Sequence, residues 1–141
     1  MDRSASAVWQ GSLKEGKGSI STQSTTLKDA QYSFKTRFED GVGTNPEELI
    51  AAAHAGCYSM ALSAMLTEEG FVPDEVATTA AVKLEMLAEG PTVTKIKLTT
   101  KAKVPNIDAA KFDEISKKAK EGCPISRLLK AAEITLDASL V

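Results

Sequence analysis

The stretch Asn45-Pro-Glu-Glu-Leu-Ile-Ala-Ala-Ala-His-Ala-Gly-Cys-Tyr-Ser-Met-Ala-Leu-Ser-Ala-Met-Leu-Thr67 decides the architecture. Asn45 suits an N-cap, Pro46 the first helical position, and Glu47 and Glu48 the positive end of the helix dipole. No strong breaker follows before Gly70, although Gly56 weakens the helix locally. The spacing predicts one helix of about 24 residues, roughly 36 Å long. Residues 49–67 carry no charge and reach the length of a membrane-spanning segment. Their Ala, Gly and Ser content and the internal His54 give little hydrophobic drive, so the expectation is a buried central helix.

Strand patterns surround this helix. Residues 5–10 and 18–22 flank Lys-Glu-Gly-Lys and predict a β-hairpin. Residues 31–39 alternate, with Tyr32, Phe34, Thr36 and Phe38 on one face and Ser33, Lys35 and Arg37 on the other, predicting a third strand. Beyond the helix, Thr78, Ala80, Val82, Leu84 and Met86 alternate with other residues, and after Ala-Glu-Gly-Pro so do Ile96, Leu98, Thr100, Ala102 and Val104. These form a second hairpin whose other face carries Lys95, Lys97, Lys101 and Lys103. No aromatic residues interleave those lysines, so they read as a solvated face. Residues 108–120 form an amphipathic helix with Phe112, Ile115 and Ala119 inward, ended by Gly122. Cys123 then stands as an N-cap before Pro124 and a short helix over 125–130, and residues 133–140 close the chain as a strand. The order predicts an α+β fold with mostly antiparallel sheets on a long helix, in a single domain spanning residues 1–141.

Composition excludes several function classes. Seventeen basic residues against nineteen acidic ones leave a formal charge of −2, which points to neither nucleic acid nor an anionic membrane as partner. The opening Met-Asp-Arg-Ser-Ala-Ser leads into no apolar run, which argues against a secretory signal. Two cysteines are too few for a disulfide scaffold, so a reducing, cytoplasmic compartment is expected. No Cys or His spacing fits a metal site.

The two cysteines carry the chemistry. Cys57 lies inside the uncharged helix and reads either as a small buried hydrophobe or as a nucleophile. Burial alone raises a thiol pKa, so reactivity needs a cation, with Arg37 and His54 the candidates. His54 shares a helix face with Cys57 and otherwise reads as a core or interface histidine. Cys123, at a helix start, has the more evident activation and by that rule ranks as the stronger nucleophile; otherwise it is simply a cap. Glu47 is either a first-turn acid or a site residue. Ten helical residues put it about 15 Å from Cys57 along the axis, so a site using both draws Glu47 from a second subunit.

At these residues the chain resembles the OsmC/Ohr family, and its OsmC branch in particular. The carriers are Thr-Arg-Phe-Glu (36–39), Gly-Thr-Asn-Pro-Glu-Glu-Leu-Ile (43–50), Ala-Ala-His-Ala-Gly-Cys-Tyr-Ser-Met-Ala-Leu (52–62) and Ala-Lys-Glu-Gly-Cys-Pro-Ile-Ser (119–126). The resemblance implies an intertwined α+β homodimer with sites at the subunit interface. It also implies a cysteine-based reductase of organic hydroperoxides, acting more weakly on hydrogen peroxide, with a link to oxidative or osmotic stress. Cys57 becomes the peroxidatic cysteine and Cys123 the resolving one, reversing the ranking made from the residues alone. Arg37 holds the thiolate and the peroxide, and Glu47, the acid directly after Asn-Pro, orients Arg37 in preference to the adjacent Glu48. An external dithiol of the lipoyl type is the implied reductant, and no cofactor is required. Phe38, Tyr58 and Met60 are candidates to line an apolar approach. A redox sensor and an apolar-ligand binding protein remain the alternative readings.

Overall fold

The computed structural model describes residues 1–141. The chain divides into two compact units, Met1–Leu49 and Ile50–Val141. In the first, β1 (Ala5–Gln10) and β2 (Lys17–Thr22) form the expected hairpin, and β3 (Ala30–Tyr32) pairs antiparallel with β2. Trp9 and Tyr32 pack at 5.4 Å between ring centroids across the sheet. Gly18 lies between them, where a Cβ would collide with the Tyr32 ring.

The expected strand over 31–39 ends at Tyr32, and residues Phe34–Phe38 form a short helix, α1. Ser33 and Thr36 make a reciprocal capping box, which commits the next residues to helix. The aromatic alternation misleads here: Phe34 and Phe38 stand one turn apart and pack at 4.9 Å.

Helix α2 spans Pro46–Glu68, in agreement with the sequence reading, and the backbone N–H of Glu48 donates to Asn45 Oδ1 at 2.9 Å. By length and composition α2 could cross a membrane. In the second unit its side chains at His54, Tyr58, Leu62 and Leu66, four residues apart, make one buried stripe. Tyr58, Leu62 and Leu66 meet Leu98, Ala102, Val104, Phe112, Ile115 and Ala119 in one core. Burying each large aliphatic side chain there contributes roughly 2 kcal/mol.

That core rests on the sheet β4 (Glu75–Leu87), β5 (Gly90–Lys103) and β6 (Glu133–Leu140), in the order β4-β5-β6. β4 and β5 pair antiparallel, with their lysine-bearing face exposed. A register shift at Lys83/Leu84 disturbs the predicted alternation, and Met86 is exposed. β6 pairs parallel to β5, an exception to the antiparallel expectation. The reason is connectivity: helices α3 (Ala109–Gly122) and α4 (Pro124–Leu128) carry the chain back to the starting end of β5. Gly122 is the last residue of α3 rather than a stop before it.

Candidate active site

Cys57 is half-buried on α2. Cys123 joins two helices: its N–H donates to Ala119 O at 2.9 Å, closing α3, and its carbonyl accepts from Arg127 N at 3.0 Å, opening α4. The expected N-cap position is therefore real, but the thiol makes no cap bond. It turns instead to Cys57, and the two free sulfurs lie 2.7 Å apart. Burial is the reverse of what the sequence suggested, with Cys123 the fully buried thiol. Cys123 continues the inward stripe of Phe112, Ile115, Ser116 and Ala119 past the end of α3.

Burial pushes the Cys57 thiol up from its ordinary value, and the hydrogen bond and charge of Cys123 add to the rise. The backbone N–H of Ile125, in the first turn of α4, opposes that rise at Cys57. One amide of this helix start thus acts on Cys57.

His54 is a core residue, fully buried. Its Nε2 meets Ser126 Oγ at 2.7 Å, while Nδ1 has no hydrogen-bond partner. Burial pushes the imidazole pKa below its ordinary value and keeps the ring neutral. Tyr58 is also fully buried and donates to Ser116 O at 3.2 Å. It therefore anchors the core and lines no approach, contrary to expectation. Met60 faces outward from α2.

In the first unit, Arg37 lies on the last turn of α1, not on a strand face. Its Nη2 donates to Glu47 Oε1 at 2.8 Å and its Nε to the same carboxylate at 3.2 Å. Glu48 is exposed and makes no such pair. One side chain sets this geometry: Asn45 accepts from Glu48 N–H at its Oδ1 and donates from Nδ2 to Thr36 O at 3.0 Å. It ties the end of α1 to the start of α2. The Arg37 guanidinium stands 5.2 Å from the Phe38 ring. A cavity of about 250 Å³ opens beside it, walled by Trp9, Leu13, Tyr32, Phe34 and Phe38.

The four expected site residues thus form two pairs, one in each unit. Sequence reasoning missed the second role of Asn45, the Ile125 amide and the His54–Ser126 bond. Only the last had a visible trace: His54 precedes Cys57 by three residues and Ser126 follows Cys123 by three.

A family model described as OsmC-like protein matches residues 38–139. Peroxiredoxin OsmC of Escherichia coli (strain K12) is 56% identical over 134 residues, covering 95% of this chain and 93% of that protein. The organic hydroperoxide resistance protein of Xanthomonas axonopodis pv. citri is 31% identical over 98 residues, 68% of this chain and 67% of that one. Among solved structures, the organic hydroperoxide resistance protein OhrB of Bacillus subtilis matches with a TM-score of 0.75 at 22% identity, over 96% of this chain and 98% of that one. An OsmC-like protein from Mycoplasma pneumoniae matches with a TM-score of 0.78 at 14% identity, over 100% and 98%. The structural likenesses speak to the fold, and the family model and the sequence identities to descent: the chain belongs to the OsmC-like family.

Proposed function

We infer that this chain is a cysteine peroxidase that reduces organic hydroperoxides, with Cys57 as the attacking thiol and Cys123 as the resolving one. The observation that carries the reading is the pair of free sulfurs 2.7 Å apart. They can join with little backbone movement. The sequence identity to a peroxiredoxin supports the same activity.

In the first step the Cys57 thiolate attacks the distal oxygen of ROOH. The O–O bond breaks, the hydroxyl stays on sulfur as a sulfenic acid, and RO⁻ takes up a proton to leave as ROH. In the second step the Cys123 thiol displaces that hydroxyl, which departs as water, and the S–S bond forms. An external dithiol of the lipoyl type reduces the disulfide and is itself oxidised. The electrons pass through sulfur alone.

Arg37, oriented by Glu47, stabilises the thiolate and the charge developing on the departing oxygen. The aromatic cavity beside Arg37 suits the organic part of the peroxide. Ten residues of α2 separate Glu47 from Cys57, so each site of a homodimer takes its thiols from one subunit and its Arg37–Glu47 pair from the other. The two units act together as one domain in a reducing cytoplasm.

The test is steady-state consumption of cumene hydroperoxide with dihydrolipoamide. Wild type turns over, Cys57→Ser falls to background, and Cys123→Ser stalls after one equivalent. Activity retained in Cys57→Ser but lost in Cys123→Ser would reverse the two roles. One equivalent consumed by wild type, with no turnover on any dithiol, would make the chain a sensor.

A further inference from the structure

His54 and Ser126 have no part in the chemistry above, yet both are buried and they bond only to one another across two elements. Each lies three residues from a reactive sulfur, His54 before Cys57 on α2 and Ser126 after Cys123 on α4. The α4 segment is therefore joined to α2 by the sulfurs at 2.7 Å and by the imidazole and hydroxyl at 2.7 Å, beside the Ile125 amide at Cys57. The sulfur contact changes through the reaction cycle. The polar contact need not.

We propose that the His54–Ser126 hydrogen bond is a positioning clasp that holds Cys123 in register against Cys57 so that the two close readily into a disulfide. The clasp rests on Cys57 and Cys123 acting as an exchanging pair, as read above. Three features support it. First, α4 has five residues and no side-chain cap, too short to hold its own conformation without tertiary contacts. Second, Pro124, Arg127 and Leu128 are exposed and Ile125 is half-buried, so Ser126 in α4 and its N-cap Cys123 are the buried positions of this segment. Third, the imidazole leaves Nδ1 unpaired in the core, a cost that an apolar residue of similar size would avoid. A buried polar bond that specifies register explains that cost better than cohesion does. Closing two sulfurs depends steeply on their placement, and a misplacement near 1 Å can cost about a hundredfold.

Ser126→Ala removes the bond and leaves His54 without a partner. The double variant His54→Leu/Ser126→Ala removes both polar groups and leaves no orphan, so it separates register from stability. Ser126→Thr keeps the hydroxyl. The primary readout is the equilibrium between the dithiol plus oxidised glutathione and the Cys57–Cys123 disulfide plus two reduced glutathiones. This equilibrium gives the effective concentration of one thiol at the other without any peroxide. Loss of the clasp lowers it roughly 10- to 100-fold in both alanine-bearing variants, and Ser126→Thr recovers it. The double variant keeps a thermal midpoint near wild type. In single-turnover reactions with cumene hydroperoxide the oxidation of Cys57 keeps its rate, the closing step slows, and sulfinic Cys57 accumulates.

A folded double variant with a wild-type glutathione equilibrium would overturn the clasp and reduce His54–Ser126 to core filling. If Ser126→Ala does not fold, the double variant carries the test. If the glutathione effect is found but wild type does not react with peroxide, the clasp stands and the peroxidase reading falls. A wild type that forms no intramolecular disulfide in the redox buffer would sink the clasp itself.

Discussion

The Arg37–Glu47 and Cys57–Cys123 pairs of this chain are built in opposite ways. Arg37 and Glu47 are ten residues apart, and local devices bring them together: the Ser33–Thr36 capping box starts α1, and Asn45 ties its end to the start of α2. Cys57 and Cys123 are 66 residues apart and meet because the long-range packing of α2, α3 and the sheet brings them together. The ion pair is a product of turns and caps, and the thiol pair a product of a core. Damage should therefore spread differently from each: local substitutions disable the charge, while core substitutions move the sulfurs.

The largest effect tests whether the first pair serves the second. Arg37→Met lowers kcat/KM roughly 100- to 1000-fold, the range for a lost charge-stabilising donor. Burial already disfavours the Cys57 thiolate. Removing the guanidinium therefore shifts alkylation of Cys57 by iodoacetamide to higher pH, measured with Cys123→Ser as background. An unchanged profile would mean that the two pairs work separately. Glu47→Gln moves both readouts in the same direction and less far.

Asn45→Ala comes next. It removes an N-cap and leaves the Thr36 carbonyl without its side-chain donor, costing about 2 kcal/mol together. A urea midpoint reads that loss. Turnover should fall with it, while the glutathione equilibrium of the thiol pair stays put. A shift in that equilibrium would show that the two constructions are not independent.

Tyr58→Phe works from the other side. It breaks the bond to Ser116 O and costs about 1 kcal/mol in the same urea experiment, with turnover unchanged. Lost activity would mean that Tyr58 reaches the reacting groups.

The smallest effect is a pH slope. His54 is held neutral by burial, with its pKa below the ordinary 6.5. Above that value the ring is neutral whether the chain is folded or not. As pH falls below it, the unfolded chain binds a proton that the folded chain refuses, and stability declines. Urea midpoints between about pH 7 and pH 5 should fall in wild type and fall less in His54→Leu/Ser126→Ala. Equal slopes would assign the acid sensitivity to other groups.

The strongest local signals read correctly from the sequence. Asn-Pro-Glu-Glu starts α2 where expected, the alternation on β5 places Ile96, Leu98, Thr100 and Ala102 inward, and residues 133–140 form the last strand. The failures came where two local codes overlapped. Residues 32–38 satisfy both a strand alternation and a Ser-x-x-Thr capping box, and the box prevailed because its hydrogen bonds close within four residues. Similarly, the alternation toward Met86 gave no sign of the register shift near Lys83, which arises only when β4 meets β5.

Residue types and spacing were enough to identify the family of this protein, which is written in its Asn-Pro-Glu-Glu and cysteine-bearing motifs. Helix starts and strand faces were equally legible, because they depend on neighbours within a few residues. Tertiary structure alone settled which thiol is buried, which amide faces which sulfur, the parallel placement of β6 and the partner of His54. Each depends on residues far apart in the chain, and no local pattern records a distance that only the packed core creates.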